Sequence, residues 1–126
     1  MRWRRASLII ASSLFLAGCS VKLTGVYSSM HIVGNGANIQ GIELQIVKGD
    51  NRDYFAILQC ADRRPGKPVV MPATIVSEEV EIAPIQDPGN HCPKATFRGR
   101  IGPSGIVGAF VGSSEVRLDR TDSFWQ

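Results

Sequence analysis

The sequence predicts an all-β domain, a small antiparallel up-and-down meander of about eight short strands closed into a barrel, with a two-sheet sandwich as the alternative. Three observations carry this. From Thr24 onward apolar residues recur with a period of two far more often than 3.6. Gly, Asn, Asp, Pro and Ser clusters break the pattern every six to twelve positions. No apolar stretch of this region keeps helical spacing beyond a turn or so, so helix content should be minimal. At 126 residues the chain has room for one such domain.

The elements follow in order. Thr24 to Val33 reads as the first strand, ended by Gly34-Asn35-Gly36-Ala37-Asn38, whose residues tolerate positive φ. Ile39 to Lys48 alternates, with Ile42, Leu44 and Ile46 on one face and Gly41, Glu43 and Gln45 on the other. Gly49-Asp50-Asn51 turns the chain into Tyr54 to Ala61, a strand apolar on both faces, as expected if both are covered. A Pro-Gly-Pro loop from Asp62 to Pro68 leads to Val69–Val76 and Val80–Ile85, joined at Ser77-Glu78-Glu79. Pro72 lacks the N–H a ladder needs and marks an edge or a bulge. After a loop from Gln86 to Lys94 come Ala95–Ile101, Ile106–Val111 and Glu115–Arg120, separated by glycine- and serine-rich turns. Eight strands in sequence order suffice to close a small barrel, which removes the unpaired edges that promote aggregation.

Gly99 and Gly108 lie inside strands, where glycine marks a bend or a close backbone approach. The run Phe97-x-Gly99, turn, Gly108-x-Phe110 resembles the paired strands of small lipocalin-like barrels. It is also similar to a group of short exported bacterial proteins that open on a Gly-Val-Tyr-Ser segment, here Gly25-Val26-Tyr27-Ser28, and close on an aromatic pair, here Phe124-Trp125.

The first twenty residues have a different composition. Arg2, Arg4 and Arg5 precede an apolar stretch from Ala6 to Leu16, and Leu16-Ala17-Gly18-Cys19 follows. Charge, apolar stretch and small residues in that order make an export signal. The last four residues match the lipobox of bacterial lipoproteins, and the segment resembles the leader of that family. The resemblance implies a diacylglycerol thioether on Cys19, cleavage before it, and an acyl cap on the new amine. The organisation expected is a leader at 1–18, a lipidated N-terminus and short tether at 19–23, and the β domain at 24–126. A transmembrane helix is the alternative, but Ala6 to Gly18 is only 13 residues. That is roughly 20 Å of helix against about 30 Å of hydrocarbon. Ser20, in place of the aspartate that retains lipoproteins in the inner membrane, implies an outer-membrane address with the domain facing the periplasm or the cell surface.

If lipidation consumes Cys19, Cys60 and Cys92 remain as an even pair in an oxidising compartment, and a disulfide between them is expected. Closing about 33 residues would stabilise the fold by roughly 3 to 4 kcal/mol in the chain-entropy model. A redox or metal role is the weaker reading, because no CxxC exists and only His91 lies nearby.

Charge excludes a nucleic-acid partner. Three of the 14 basic residues lie in the first five positions, and the remaining 11 balance the 11 acidic ones. Arg63, Arg64 and Lys67 read as a solvated turn, and Glu78, Glu79 and Glu81 as a hairpin tip in preference to a cation site. His31 reads as a strand residue and His91 as a loop residue. No metalloprotease, nucleophile-elbow, Walker or EF-hand spacing occurs. No catalytic residue, metal ligand or cofactor is therefore assigned. If Gln59 points the same way as Glu43 and Gln45, the three would form a polar floor inside a barrel, the one candidate ligand site; a wet outer face is the bland alternative. The functional expectation is a membrane-anchored, non-enzymatic binding or structural domain, with membrane lipid as partner through Cys19 and an envelope protein or polymer as the further partner. A lipocalin-like carrier of a small apolar ligand is the first rival and a small hydrolase a weaker one. An integral outer-membrane barrel fits poorly, since Pro72 and the glutamates suit no lipid-facing wall.

Overall fold

The computed structural model describes residues 20–125, so the leader and Cys19 lie outside the described residues. Nine strands form: β1 (Gly25–Ser28), β2 (His31–Val33), β3 (Asn38–Lys48), β4 (Tyr54–Pro65), β5 (Val69–Val76), β6 (Glu79–Ile82), β7 (Phe97–Ile101), β8 (Gly105–Phe110) and β9 (Val116–Thr121). All ladders are antiparallel between neighbours in sequence, and β1 closes the ring by pairing with both β3 and β9. The result is an eight-stranded up-and-down barrel with β2 as an extra strand, and closure excludes the sandwich. No helix occurs among the described residues.

The expected first strand divides in two. β1 and β2 keep a single register against β3, from Gly25 opposite Ile46 to Val33 opposite Asn38, but Ser29 and Met30 drop out between them. Serine hydroxyls replace ladder carbonyls there, since Ile42 N donates to Ser29 Oγ (3.0 Å) and Met30 N to Ser28 Oγ (3.1 Å). Such local side-chain bonds compete with sheet pairing. Gly41 makes the bend possible: its φ is 123°, and a Cβ there would lie 2.5 Å from Ser29 O. Beyond the bend β2 leaves β9 and projects with the ends of β3 and β4 as a short ribbon.

Other boundaries shift for local reasons. β4 runs on through Asp62–Pro65, where the sequence predicts a loop, because Arg63 and Asp62 pair with Ile39 and Gln40 of the ribbon. β6 stops at Ile82, three residues short of the expected Ile85, where the β6–β7 ladder also ends. Pro72 sits one residue beyond the β5–β6 ladder, which begins at Ala73 opposite Ile82, and so occupies a local edge.

The interior is packed with side chains. Tyr27, Leu44, Leu58, Phe97, Ile106 and Leu118, among others, are almost completely buried in one cluster drawn from all around the ring. Gly99 and Gly108 pair directly across β7 and β8. The Phe97 ring lies over them, with its atoms 2.9 and 3.2 Å from where Cβ atoms would stand, and meets Phe110 edge-to-face at 5.3 Å. The paired glycines are thus a seat for an aromatic ring.

Because the meander alternates direction, the turns at 49–53, 77–78 and 102–104 share the end where β1 begins, called here the entry end. The turns at 34–37, 66–68 and 111–115 and the long loop 83–96 share the opposite, loop end.

Candidate functional site

Glu43, Gln45 and Gln59 do point the same way, but outward. Their neighbours Leu44, Ile46 and Leu58 fill the core, and Glu43 pairs with Gln59 across β3 and β4 on the opposite face. The conditional reading of a floor inside the barrel is therefore corrected in favour of its alternative, the outer face: side chains that alternate with an apolar core stripe must lie on the outer wall. Glu43 is nevertheless 9% exposed, because the segment after β9 folds back over it. Phe124 N and Ser123 Oγ donate to the two Glu43 carboxylate oxygens at 2.7 and 3.1 Å. Trp125 Nε1 donates to Gln59 Oε1 at 2.8 Å, while Gln59 Nε2 donates to Gly66 O. Phe124 and Trp125 stack edge-to-face at 4.9 Å. Gln45 stays exposed and takes no part. Polar groups that looked like a ligand site thus hold the chain's own aromatic strap, a role that no pattern within β3 or β4 could announce.

The wall beside this strap is apolar. Val47, Phe55 and Pro72 stand opposite one another across β3, β4 and β5, as do Ile57 and Val70 across β4 and β5. All face outward, with Phe55 and Ile57 half-buried and Val70 64% exposed. β4 is apolar on both faces, as its sequence indicates, yet its outer face is only partly covered.

At the loop end, Cys60 of β4 and Cys92 of the 83–96 loop form a disulfide with a Cα–Cα distance of 5.0 Å. Hydrogen bonds hold the same loop to the β4–β5 turn. Asn90 Nδ2 donates to Lys67 O (3.0 Å), Asn90 Oδ1 accepts from Cys92 N (2.9 Å), and Lys67 N donates to Gly89 O (2.9 Å). Lys67 Nζ also pairs with Asp87 at 3.0 Å. The Gly89 amide and then the Lys67 ammonium stabilise the Asp87 carboxylate and hold its pKa below the usual carboxylate value. His91 is exposed, with Nδ1 3.3 Å from Arg64 O, and His31 is exposed on the ribbon. Arg63 and Arg64 are exposed on the extended β4, while Glu81 is joined to Arg98 at 3.1 Å. Among the described residues no three His, Cys, Asp or Glu side chains gather in a way that could hold a metal ion.

The entry end carries a feature that composition did not signal. Tyr27, fully buried from β1, donates through its hydroxyl to Leu23 O at 2.7 Å. Arg120 of β9 lies over the Tyr27 ring at 4.7 Å and donates to Thr24 O (3.1 Å) and Lys22 O. Burial raises the Tyr27 pKa above its ordinary value, with Arg120 opposing the shift. Val21 and Leu23 pack against the core. The segment expected as a tether is therefore docked across the barrel mouth, and a shallow groove there is lined by Ser20, Val21, Lys22, Pro103 and Arg120. No family model, curated protein or solved structure matches the chain.

Proposed function

We propose that the chain is an envelope lipoprotein, held by acyl groups on Cys19, whose non-enzymatic β domain binds a membrane-proximal protein or envelope polymer through its outer surface. The Leu16-Ala17-Gly18-Cys19 sequence supports the anchor, and Ser20 supports an outer-membrane address. The observation that carries the binding role is the apolar outer wall of Val47, Phe55, Ile57, Val70 and Pro72, since contiguous exposed apolar patches mark interaction sites. A carrier of small apolar ligands needs interior space, and the packed rings and aliphatic chains of the core leave the outside as the better candidate. Crosslinking in intact envelopes tests the reading. Val70→Asp changes a side chain that is mostly in solvent, so it should leave the fold and acyl mass intact while abolishing the partner crosslink. A crosslink that survives Val70→Asp and Ile57→Asp alike would remove the wall from the interface.

A further inference from the structure

We infer that the entry end of the barrel is built to rest on a lipid surface, with the turn at Gly102-Pro103-Ser104 against the headgroups and the disulfide-tied loop end pointing away. The inference rests on the proposed acylation of Cys19 and adds to it an orientation.

The argument begins with the docked segment. A free tether from Cys19 to Thr24 would reach about 17 Å and let the barrel tumble against the bilayer. Val21 and Leu23 are instead packed on the core, and the Tyr27 hydroxyl and the Arg120 guanidinium hold the carbonyls of Lys22, Leu23 and Thr24. Arg120 is fixed in turn, because its amide donates to Ser104 O at 2.8 Å and its residue pairs with Tyr27 in the closing ladder. Only Ser20 separates Cys19 from the docked Val21, so an acyl group on Cys19 must lie within about 7 Å of the docked segment's end. Ser20 is exposed and borders the groove with Pro103. An acyl group on the neighbouring residue must therefore enter the bilayer beside the 102–104 turn. Cys60 lies six residues along β4 from Tyr54, so the disulfide-tied loop end stands roughly 15 Å further out on a tilted strand, with the ribbon projecting beyond it. Tyr27 and Arg120 act as positioning residues for the anchor.

Trp125 is the only tryptophan after Cys19, so tryptophan emission can be moved at will. The acylated chain, purified from its envelope, is placed in phosphatidylethanolamine–phosphatidylglycerol vesicles whose acyl chains carry bromine near the headgroups. In a Trp125→Phe background, Pro103→Trp reports the entry end and Asn35→Trp the ribbon at the loop end; both positions are exposed. The expected result is bromine quenching of Pro103→Trp and none of Asn35→Trp. A spacer of about ten Gly-Ser residues between Ser20 and Val21, with a root-mean-square reach of about 17 Å, should make the two signals alike while the docked segment stays in place. Arg120→Met should act in the same direction, and the spacer decides the matter if that variant does not fold. Equal quenching of the two reporters in a chain of confirmed acyl mass overturns the orientation and leaves the lipoprotein reading standing. An unmodified Cys19 overturns both.

Discussion

At the scale of single residues, the barrel depends on places where a side chain is absent. Gly108 faces Gly99 across β7 and β8, and a Cβ there would lie 2.5 Å from Arg98 O and 2.9 Å from the Phe97 ring. Backbone cannot yield as a flexible side chain can. Gly108→Ala should therefore cost about 3 kcal/mol, at the upper end of what overpacking costs. Gly102→Ala meets nothing nearer than 3.7 Å and should fall within about 0.5 kcal/mol of the parent. Urea unfolding of the two variants measures the contrast, and equal stabilities would remove the aromatic seat as a constraint. The sequence marks both glycines, because glycine inside an alternating strand needs a reason. It does not show that they face each other, since register across a hairpin depends on turn length as well as pattern. Glu43 and Gln59 show the complementary limit. Their common face is legible from alternation within each strand, but the Ser123–Trp125 strap arrives from 80 positions beyond Glu43 and 66 beyond Gln59 and leaves no local trace.

At the scale of elements, the loop 83–96 is the longest stretch without strand structure between β1 and β9, yet Ile85, Asn90 and Cys92 within it are buried. Its order has two sources, the Cys60–Cys92 bond and the hydrogen bonds of Asn90 and Lys67. Cys60→Ala should lower unfolding free energy by roughly 2 to 5 kcal/mol, the usual loss when a native disulfide leaves a small exported domain. Because the hydrogen bonds survive the substitution, amide exchange at Lys67 should stay slow relative to the exposed 111–115 turn. Fast exchange at Lys67 would show that the disulfide alone orders the loop. The pairing is legible from counting cysteines on the expectation that Cys19 is lipidated. The break between β1 and β2 has a physical signal, Ser28-Ser29 opposite a glycine-bearing partner strand, that alternation alone does not expose. The extension of β4 through Arg63 and Arg64 carries no pattern at all, because a ribbon exposed on both sides has no apolar face to write one.

At the scale of the whole molecule, closure of the ring and docking of residues 21–24 share the same two side chains, Tyr27 and Arg120. β1 pairs with β9 over only Val26–Ser28, a short ladder for the strand that must join both ends of the meander. The Tyr27–Arg120 pair lies within it and extends the seam to Lys22 through three backbone carbonyls. Alternation in eight segments indicates a barrel, and a closed ring is the arrangement that leaves no core edge open, but alternation ends at Thr24 and so hides this last stitch. Its contribution can be measured apart from any membrane. Fully burying a Val or Leu side chain is worth about 1.5 to 3 kcal/mol, and Val21 and Leu23 are buried in part, so replacing both with Ser in the barrel produced without residues 1–19 should cost roughly 2 kcal/mol. Ile32→Ser, on the projecting ribbon at 59% exposure, should change stability by less than about 0.5 kcal/mol. Thermal unfolding of the two variants decides between a tether and a structural segment. If both melt with the parent, residues 21–23 are a leash, and nothing in the barrel would fix its angle to the proposed membrane.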